Sequence, residues 1–288
     1  MDMTKLKAAF VASACAATFA AFAPGARAQF STLALPTQTE GSGSATPTPT
    51  TGGATVAAGT RKNSAYSVNL FPYAPFQVGF KADVAGISVD SKGTTNGILI
   101  APEAIFAAKN GRTGYGFGGW YWARTETGGD DSDKAVQDLF DIHGRYLFTP
   151  QIGVQLGYLG NARVKGGFSD FKQQGVNLFA TYNYASPPKP DGKGGTFGAN
   201  VGLGVQQIAS TDLFESSAFF TGFAAVSYEP VKNFSVNLSY YFLTGDQNLK
   251  LLALPGVTPA LLQQAGIGDK LKSNFNQSRF AVGVGYRF

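Results

Sequence analysis

Asp141, His143 and Arg145 occupy alternate positions of the stretch Asp141-Ile142-His143-Gly144-Arg145, and His143 is the only histidine of the chain. An imidazole held by a nearby carboxylate is a general acid–base pair, and in an extended segment all three side chains fall on one face. Catalysis would need a nucleophile as well, and no serine stands beside the histidine. The same residues serve as a buried, ion-paired network, and that is the role expected of them. A second acidic cluster, Asp130, Asp131 and Asp133, sits in the run Gly128-Gly129-Asp130-Asp131-Ser132-Asp133. Carboxylates ligate hard cations, but a dedicated calcium loop has a fuller ligand set and a distal glutamate, so no metal is expected. No motif implies a cofactor, because a glycine-rich nucleotide loop needs a strand leading into a helix. A formal net charge of +5 is too weak to argue for nucleic acid.

The elements that must carry these residues are strands. Glycine occurs 37 times in 288 residues beside 24 Phe and 12 Tyr, a mixture that favours pleated sheet over helix. Phe280, Val282, Val284, Tyr286 and Phe288 alternate with Arg279, Ala281, Gly283, Gly285 and Arg287. The stretches from Phe197 to Gln206, from Phe234 to Phe242 and from Ile152 to Tyr158 repeat the pattern, apolar on one face and small or polar on the other. Weaker segments at 77–90, 97–109, 115–127, 135–148, 171–185 and 216–229 bring the number to about ten. Within 216–229, Phe220 and Tyr228 are expected on the apolar face, with Phe219 and Phe223 opposite.

No apolar run beyond the first 28 residues approaches the ~20 that a helix needs to cross a bilayer. Backbone groups in hydrocarbon have no water to bond, so a sheet that faces lipid must close on itself. The expected fold is all-β, a membrane-spanning antiparallel up-and-down barrel of about ten strands. Ahead of it, Lys5 and Lys7, the apolar stretch Ala8 to Ala23 and the small residues of Ala26-Arg27-Ala28 read as a secretory signal peptide, residues 1–28. The only cysteine, Cys15, leaves with it. Residues 29–64, rich in Thr, Pro, Gly and Ser, read as a flexible linker, and 65–288 as the barrel.

The last strand carries Gly283, then Tyr286, and ends on Phe288. This ending resembles the terminal signal by which Gram-negative outer-membrane barrel proteins are recognised for assembly, with Ala281 where that pattern usually has a polar residue. The resemblance implies insertion into outer-membrane lipid by the barrel assembly machinery, and it covers about 66–288 by texture. A barrel of this kind has short turns on the periplasmic side, expected at 110–114, 149–151 and 230–233, with the longer connection 187–195 as the exception. Longer outer loops are expected at 127–134, 160–170, 210–215 and 246–272.

With the faces set this way, the inward side chains are Lys81, Asp83, Glu103, Arg124, Glu126, Asp141, His143, Arg145, Arg279 and Arg287. Charges of both signs in a narrow lumen must be paired or hydrated. A barrel of about eight strands is filled by its side chains and one of sixteen leaves a channel, so ten lies near the filled limit. Trp120 and Trp122 fall inward in this register, and the opposite register would place them at the membrane interface. In the longest loop, Thr258, Pro259 and Gly266 mark the cap, first turn and end of a short helix. With Leu251, Leu252, Leu254 and Val257 beside it, that helix is too apolar to stay in water, so it covers the barrel mouth or meets a partner. The function expected is structural or surface-interacting, with limited passive permeation. A narrow porin-like channel for a small solute is the alternative, and a barrel-embedded hydrolase centred on His143 is the third reading.

Overall fold

Tyr66, Val68 and Leu70 alternate with Ser67, Asn69 and Phe71, and this short segment is where the barrel closes. In a computed structural model, residues 64–84, 87–108, 113–125, 136–165, 174–186, 195–211, 214–254 and 256–288 are described. They form β1 (Ser64–Tyr73), β2 (Phe76–Val84), β3 (Ile87–Ala107), β4 (Gly114–Thr125), β5 (Val136–Leu147) and β6 (Ile152–Lys165). These are followed by β7 (Gly175–Ala185), β8 (Thr196–Ile208), β9 (Ser217–Val231), β10 (Phe234–Lys250) and β11 (Lys270–Arg287). A 3-10 turn, Leu251–Ala253, and one helix, α1 (Pro259–Ala265), lie between the last two strands. The signal-peptide region, the linker up to residue 63, the Asp130–Asp133 cluster and Glu126 lie outside the described residues.

From β2 to β11 each strand pairs antiparallel with its neighbours in sequence, and both β1 and β2 lie between β3 and β11. β1 pairs low, with Leu70 opposite Ile100 and Val68 opposite Tyr286. β2 pairs high, with Phe76 opposite Thr95 and Arg279. They are two halves of one stave, so the sheet is a closed barrel of ten staves, the number read from the sequence. The segment 64–75, which shows no strand signal beyond three alternating pairs, supplies the lower half. Ser64 already belongs to β1, one residue inside the expected linker.

The join between the halves changes the facing of everything after it. Leu70 stands opposite Val284 and Tyr73 opposite Val282, so β1 spends one extra residue against β11. Such a bulge shifts the alternation by one. Before it, Ser67, Asn69 and Phe71 are buried; after it, Ala74 and Ala82 are. Lys81 and Asp83 therefore face outward, which corrects the expected inward placement. Lys81 pairs with Asp90 at 3.7 Å on the outer surface, and Ser88 donates to Asp83. Residues 91–96, which fall between the expected segments 77–90 and 97–109, are paired within β3. Gly160 to Lys165 likewise continue β6 rather than beginning a loop.

The outer surface has two zones. From Phe280 to Phe288 the outward side chains of β11 are Phe, Val, Val, Tyr and Phe, all exposed. Eight steps of ~3.4 Å, tilted by ~40°, give a band about 20 Å high, close to the apolar belt of a membrane barrel. Aromatic rings border it at the end where the tight turns lie: Tyr66 with Phe106, Phe106 with Tyr115, Tyr146 with Phe148, and Tyr286 with Phe288. Toward the other end the outward positions become polar, with Asn276, Asn274 and Lys272 on β11 and Thr244 and Asp246 on β10. Lys272 and Asp246 pair there at 2.9 Å. The barrel wall thus continues beyond the belt into water, and the loop expected at 246–272 is shortened to 251–269 by strand.

Candidate functional site

The interior has three layers, each built by the inward positions of neighbouring strands. Nearest the lid end it is apolar. Phe219 of β9 and Phe275 of β11 meet edge to face at 6.0 Å, and deeper in the barrel Phe223 of β9, opposite Tyr241, meets Phe179 of β7 at 5.4 Å. Leu243, Leu249 and Leu271 join them in one buried cluster, and so do Leu251, Leu254 and Leu262 from the connection between β10 and β11. That connection folds inward because α1 is stopped at both ends. The Leu261 N–H donates to Thr258 Oγ1 at 3.3 Å, Pro259 opens the first turn, and Gly266 ends it in the left-handed conformation at φ 65°. Of the two fates expected for this helix, the structure shows it packed over the mouth.

The lid is pinned outside as well. Lys270 pairs with Glu215 at 2.7 Å, and Asn248 Nδ2 donates to the same carboxylate at 2.9 Å. The hydrogen bond from Lys270, then that from Asn248, holds the Glu215 carboxyl below its ordinary range. A depressed carboxyl contributes above its unfolded pKa and loses that contribution as pH falls through the folded one. Acidification below about pH 4 is therefore expected to raise proteolytic cleavage around 209–216, read by mass spectrometry of the fragments. Glu215→Gln should cleave equally at both pH values. A wild-type chain with no pH response would contradict the clasp.

In the middle layer Arg279 of β11 is buried. Its guanidinium carbon lies 5.6 Å from the Trp120 ring, 6.0 Å from Trp122 and 5.8 Å from Tyr241. Aromatic faces attract a desolvated cation by about 0.5–2 kcal/mol each way it is counted in proteins, so the two tryptophans are inward and have a cation to face. The Tyr241 hydroxyl is tied in turn by Thr221, which donates to it at 3.0 Å.

The layer toward the turns is polar. His143 Nδ1 lies 2.6 Å from Asp141 Oδ1, and Asn177 of β7 donates to Asp141 Oδ2 at 3.0 Å. Arg145 Nη1 reaches Glu103 Oε1 of β3 at 3.4 Å, while its Nε and Nη2 donate to Gln155 Oε1 of β6 at 3.2 and 2.8 Å. All of these side chains are buried. Pairing at short range offsets part of what it costs to take such charges from water. Room for them comes from missing side chains: a Cβ on Gly118 would stand 2.8 Å from His143 Nε2, and one on Gly157 2.6 Å from Asn177 Oδ1.

The structure thus brings Glu103, Asp141, His143 and Arg145 together, and sets Arg279 apart above them. Arg287 does not join either group. It pairs with Glu229 at 3.5 Å on the rim, because the strand ends there and its side chain emerges half exposed. Arg124 lies in β4 opposite Gly97, and its side chain is outside the described part. Gln155 and Asn177 were not among the expected site residues. Gln155 stands directly opposite Arg145 and Asn177 opposite Gly157, a juxtaposition set by strand register rather than by the sequence of any one strand. Gly283 is inward, where any Cβ would strike Phe71, while Tyr286 and Phe288 point outward into the aromatic border. No group of three metal-ligating side chains occurs among the described residues.

A closed antiparallel barrel with an apolar outer belt and a packed, partly charged interior is the class of molecule these observations define: a membrane-spanning β-barrel of ten staves. No family model and no curated protein matches the sequence. Among solved structures, the chain is similar to the outer membrane protease OmpT from Escherichia coli, at 13% identity over 80% of this chain and 98% of that one, with a TM-score of 0.40. It is also similar to the outer membrane protein OprG from Pseudomonas aeruginosa, at 14% identity over 78% of this chain and 96% of that one, with a TM-score of 0.34. Both neighbours are outer-membrane proteins; at these values the fold rests on the strand pairing itself, and nothing about activity is carried across.

Proposed function

We propose that the chain is an outer-membrane barrel of structural or surface-interacting role, its lumen closed to bulk solute flow. The observation that supports this reading is the apolar cluster of Phe219, Phe275, Phe179 and Phe223, capped by Leu251, Leu254 and Leu262 of the lid. Water and ions crossing it would leave their hydration behind. The terminal Gly283, Tyr286 and Phe288 fit delivery by the barrel assembly machinery, and the leader fits export by a cleavable signal peptide. The polar wall beyond the belt, with Lys81, Asp90, Asp246 and Lys272 outward, offers a hydrated surface to a partner. His143 acts in this reading as part of the interior brace, since no hydroxyl or thiol is bonded to its Nε2 among the described residues.

Planar-bilayer recording tests the closure. Refolded wild-type protein is expected to give no discrete conductance steps. Replacing 251–269 by a short turn and adding Phe219→Ala and Phe275→Ala should produce them, since both parts of the seal are then gone. Open-channel steps from the wild type would overturn the reading in favour of a solute channel.

A further inference from the structure

β10 and β11 leave the sheet on two like charges. Lys250, the last residue of β10, stands directly opposite Lys270, the first of β11, and both point outward because Leu249 and Leu271 beside them are buried. The next residues on either side already belong to the lid, where the Leu251 N–H donates to Asp269 O at 2.9 Å. Like charges directly opposite in a sheet repel and weaken the pair that carries them. This final rung is where the lid is hinged.

A carboxylate from a third strand offsets the repulsion. Glu215, two residues before β9, is bonded by Lys270 Nζ and Asn248 Nδ2, and its own N–H donates to Asn248 O at 3.0 Å. Lys250 is turned the same way, its Nζ donating to Ser210 Oγ at 2.9 Å and to Thr211 O at 2.7 Å. Both ammonium groups thus converge on the connection that carries Glu215. Asp269 adds a weaker attraction to Lys270. Farther down the same outer row, Lys272 has its own carboxylate in Asp246, so Glu215 is the charge on which the Lys250–Lys270 rung depends.

Beneath the rung lies what the lid covers. Phe214, next to Glu215 and fully buried, bridges to Leu249. It packs in one cluster with Phe219, Phe275 and the lid residues Leu251, Leu254 and Leu262. One carboxylate therefore bears on both the hinge of the lid and the placement of a ring under it.

We propose that the lid is a charge-locked, acid-released cover: Glu215 neutralises the Lys250–Lys270 rung, and loss of its charge opens that rung and frees 251–269 from the apolar cup beneath. This goes beyond a closed lumen, because it concerns the motion of the cover rather than flow through the barrel. The Lys270 hydrogen bond above all holds the Glu215 carboxyl below its ordinary range. The lock is therefore present above the ordinary carboxylate pKa and is lost as pH falls through the folded value, below about pH 4. Asp246, held low by its hydrogen bond from Lys272, follows in the same direction and leaves a third lysine uncompensated.

Hydrogen exchange of peptides within 251–269, read by mass spectrometry on the folded full chain in detergent, tests the lock. Glu215→Gln keeps an acceptor oxygen and removes the charge. At pH 7 and low salt it should raise lid exchange about fivefold, the scale of one exposed charge pair. Lys270→Gln on that background removes the repulsion and should return exchange to the wild-type rate. Salt at 1 M, where screening reaches ~3 Å, should slow lid exchange in Glu215→Gln and hasten it in wild type, since repulsion prevails in the one and attraction in the other. Wild type at pH 3, corrected for the intrinsic chemical rate, should open as Glu215→Gln does at pH 7. Peptides from 280–288 should stay protected throughout, which separates lid opening from loss of the fold. Lid exchange indifferent to Glu215→Gln, or a double variant as open as the single one, would overturn the proposal. Conductance plays no part in this readout, so its failure is distinct from that of the closed barrel.

Discussion

Arg145→Met is expected to lower the unfolding free energy of the folded barrel by about 3–5 kcal/mol, the usual cost of stripping one partner from a buried ion pair. Glu103 and Gln155 are the reason. Arg145 sets a buried counter-charge 3.4 Å from Glu103 and gives Gln155 Oε1 two hydrogen bonds, and its side chain is 1% exposed against 3% for Glu103. Water therefore does not take over when the guanidinium is removed. The decisive comparison is the double variant. Glu103→Gln on the Arg145→Met background removes the orphaned charge, so the pair of changes should cost less than their separate effects added together. Urea unfolding in lipid vesicles reads all four corners of the cycle, and strict additivity would contradict a direct coupling.

That network was half legible in the sequence. The alternation of Asp141, His143 and Arg145 along one strand shows a shared face whatever the fold around it, and Glu103 follows from the alternation of its own segment. Gln155 and Asn177 are different, because each meets the network through the register between strands, which pattern alone leaves free. The same limit explains Lys81 and Asp83. The run Phe71-Pro72-Tyr73-Ala74-Pro75 carries no clean alternation, so the extra residue that reverses the facing of β2 leaves no trace in hydrophobicity.

The strand extensions were hidden for another reason. Lipid-facing alternation marks the outward residues as apolar, and this identifies 280–288 and 234–242. Above the belt the rule inverts: Lys272, Asn274 and Asn276 face water while Leu271, Phe275 and Leu249 face the core. Read with the membrane's rule, such a segment looks like a loop. The inward phase nonetheless runs unbroken from Leu271 to Gly285. An alternation that keeps its phase while reversing its polarity marks the place where a barrel leaves the bilayer.

Filling a ten-stave interior with large rings requires that the facing positions be empty, and this gives the second large expected effect. Gly202 of β8 stands opposite Phe223 of β9, and any Cβ on Gly202 would strike the Phe223 ring. Gly202→Val alone should cost about 1–3 kcal/mol as overpacking, and Phe223→Ala alone about 3–5 kcal/mol as a cavity. Combined, the valine enters the space the ring has left, so the double variant should be more stable than Phe223→Ala by itself. Gly97→Val supplies the control, because the obstruction at Gly97 is the Trp122 indole; its cost should persist unchanged when Phe223→Ala is added. If Gly202→Val weakens the Phe223→Ala barrel as much as it weakens the wild type, then glycine at 202 is not there for the ring. The same experiment bears on closure, since the relieved double variant keeps the lumen packed and should remain silent in bilayer recordings.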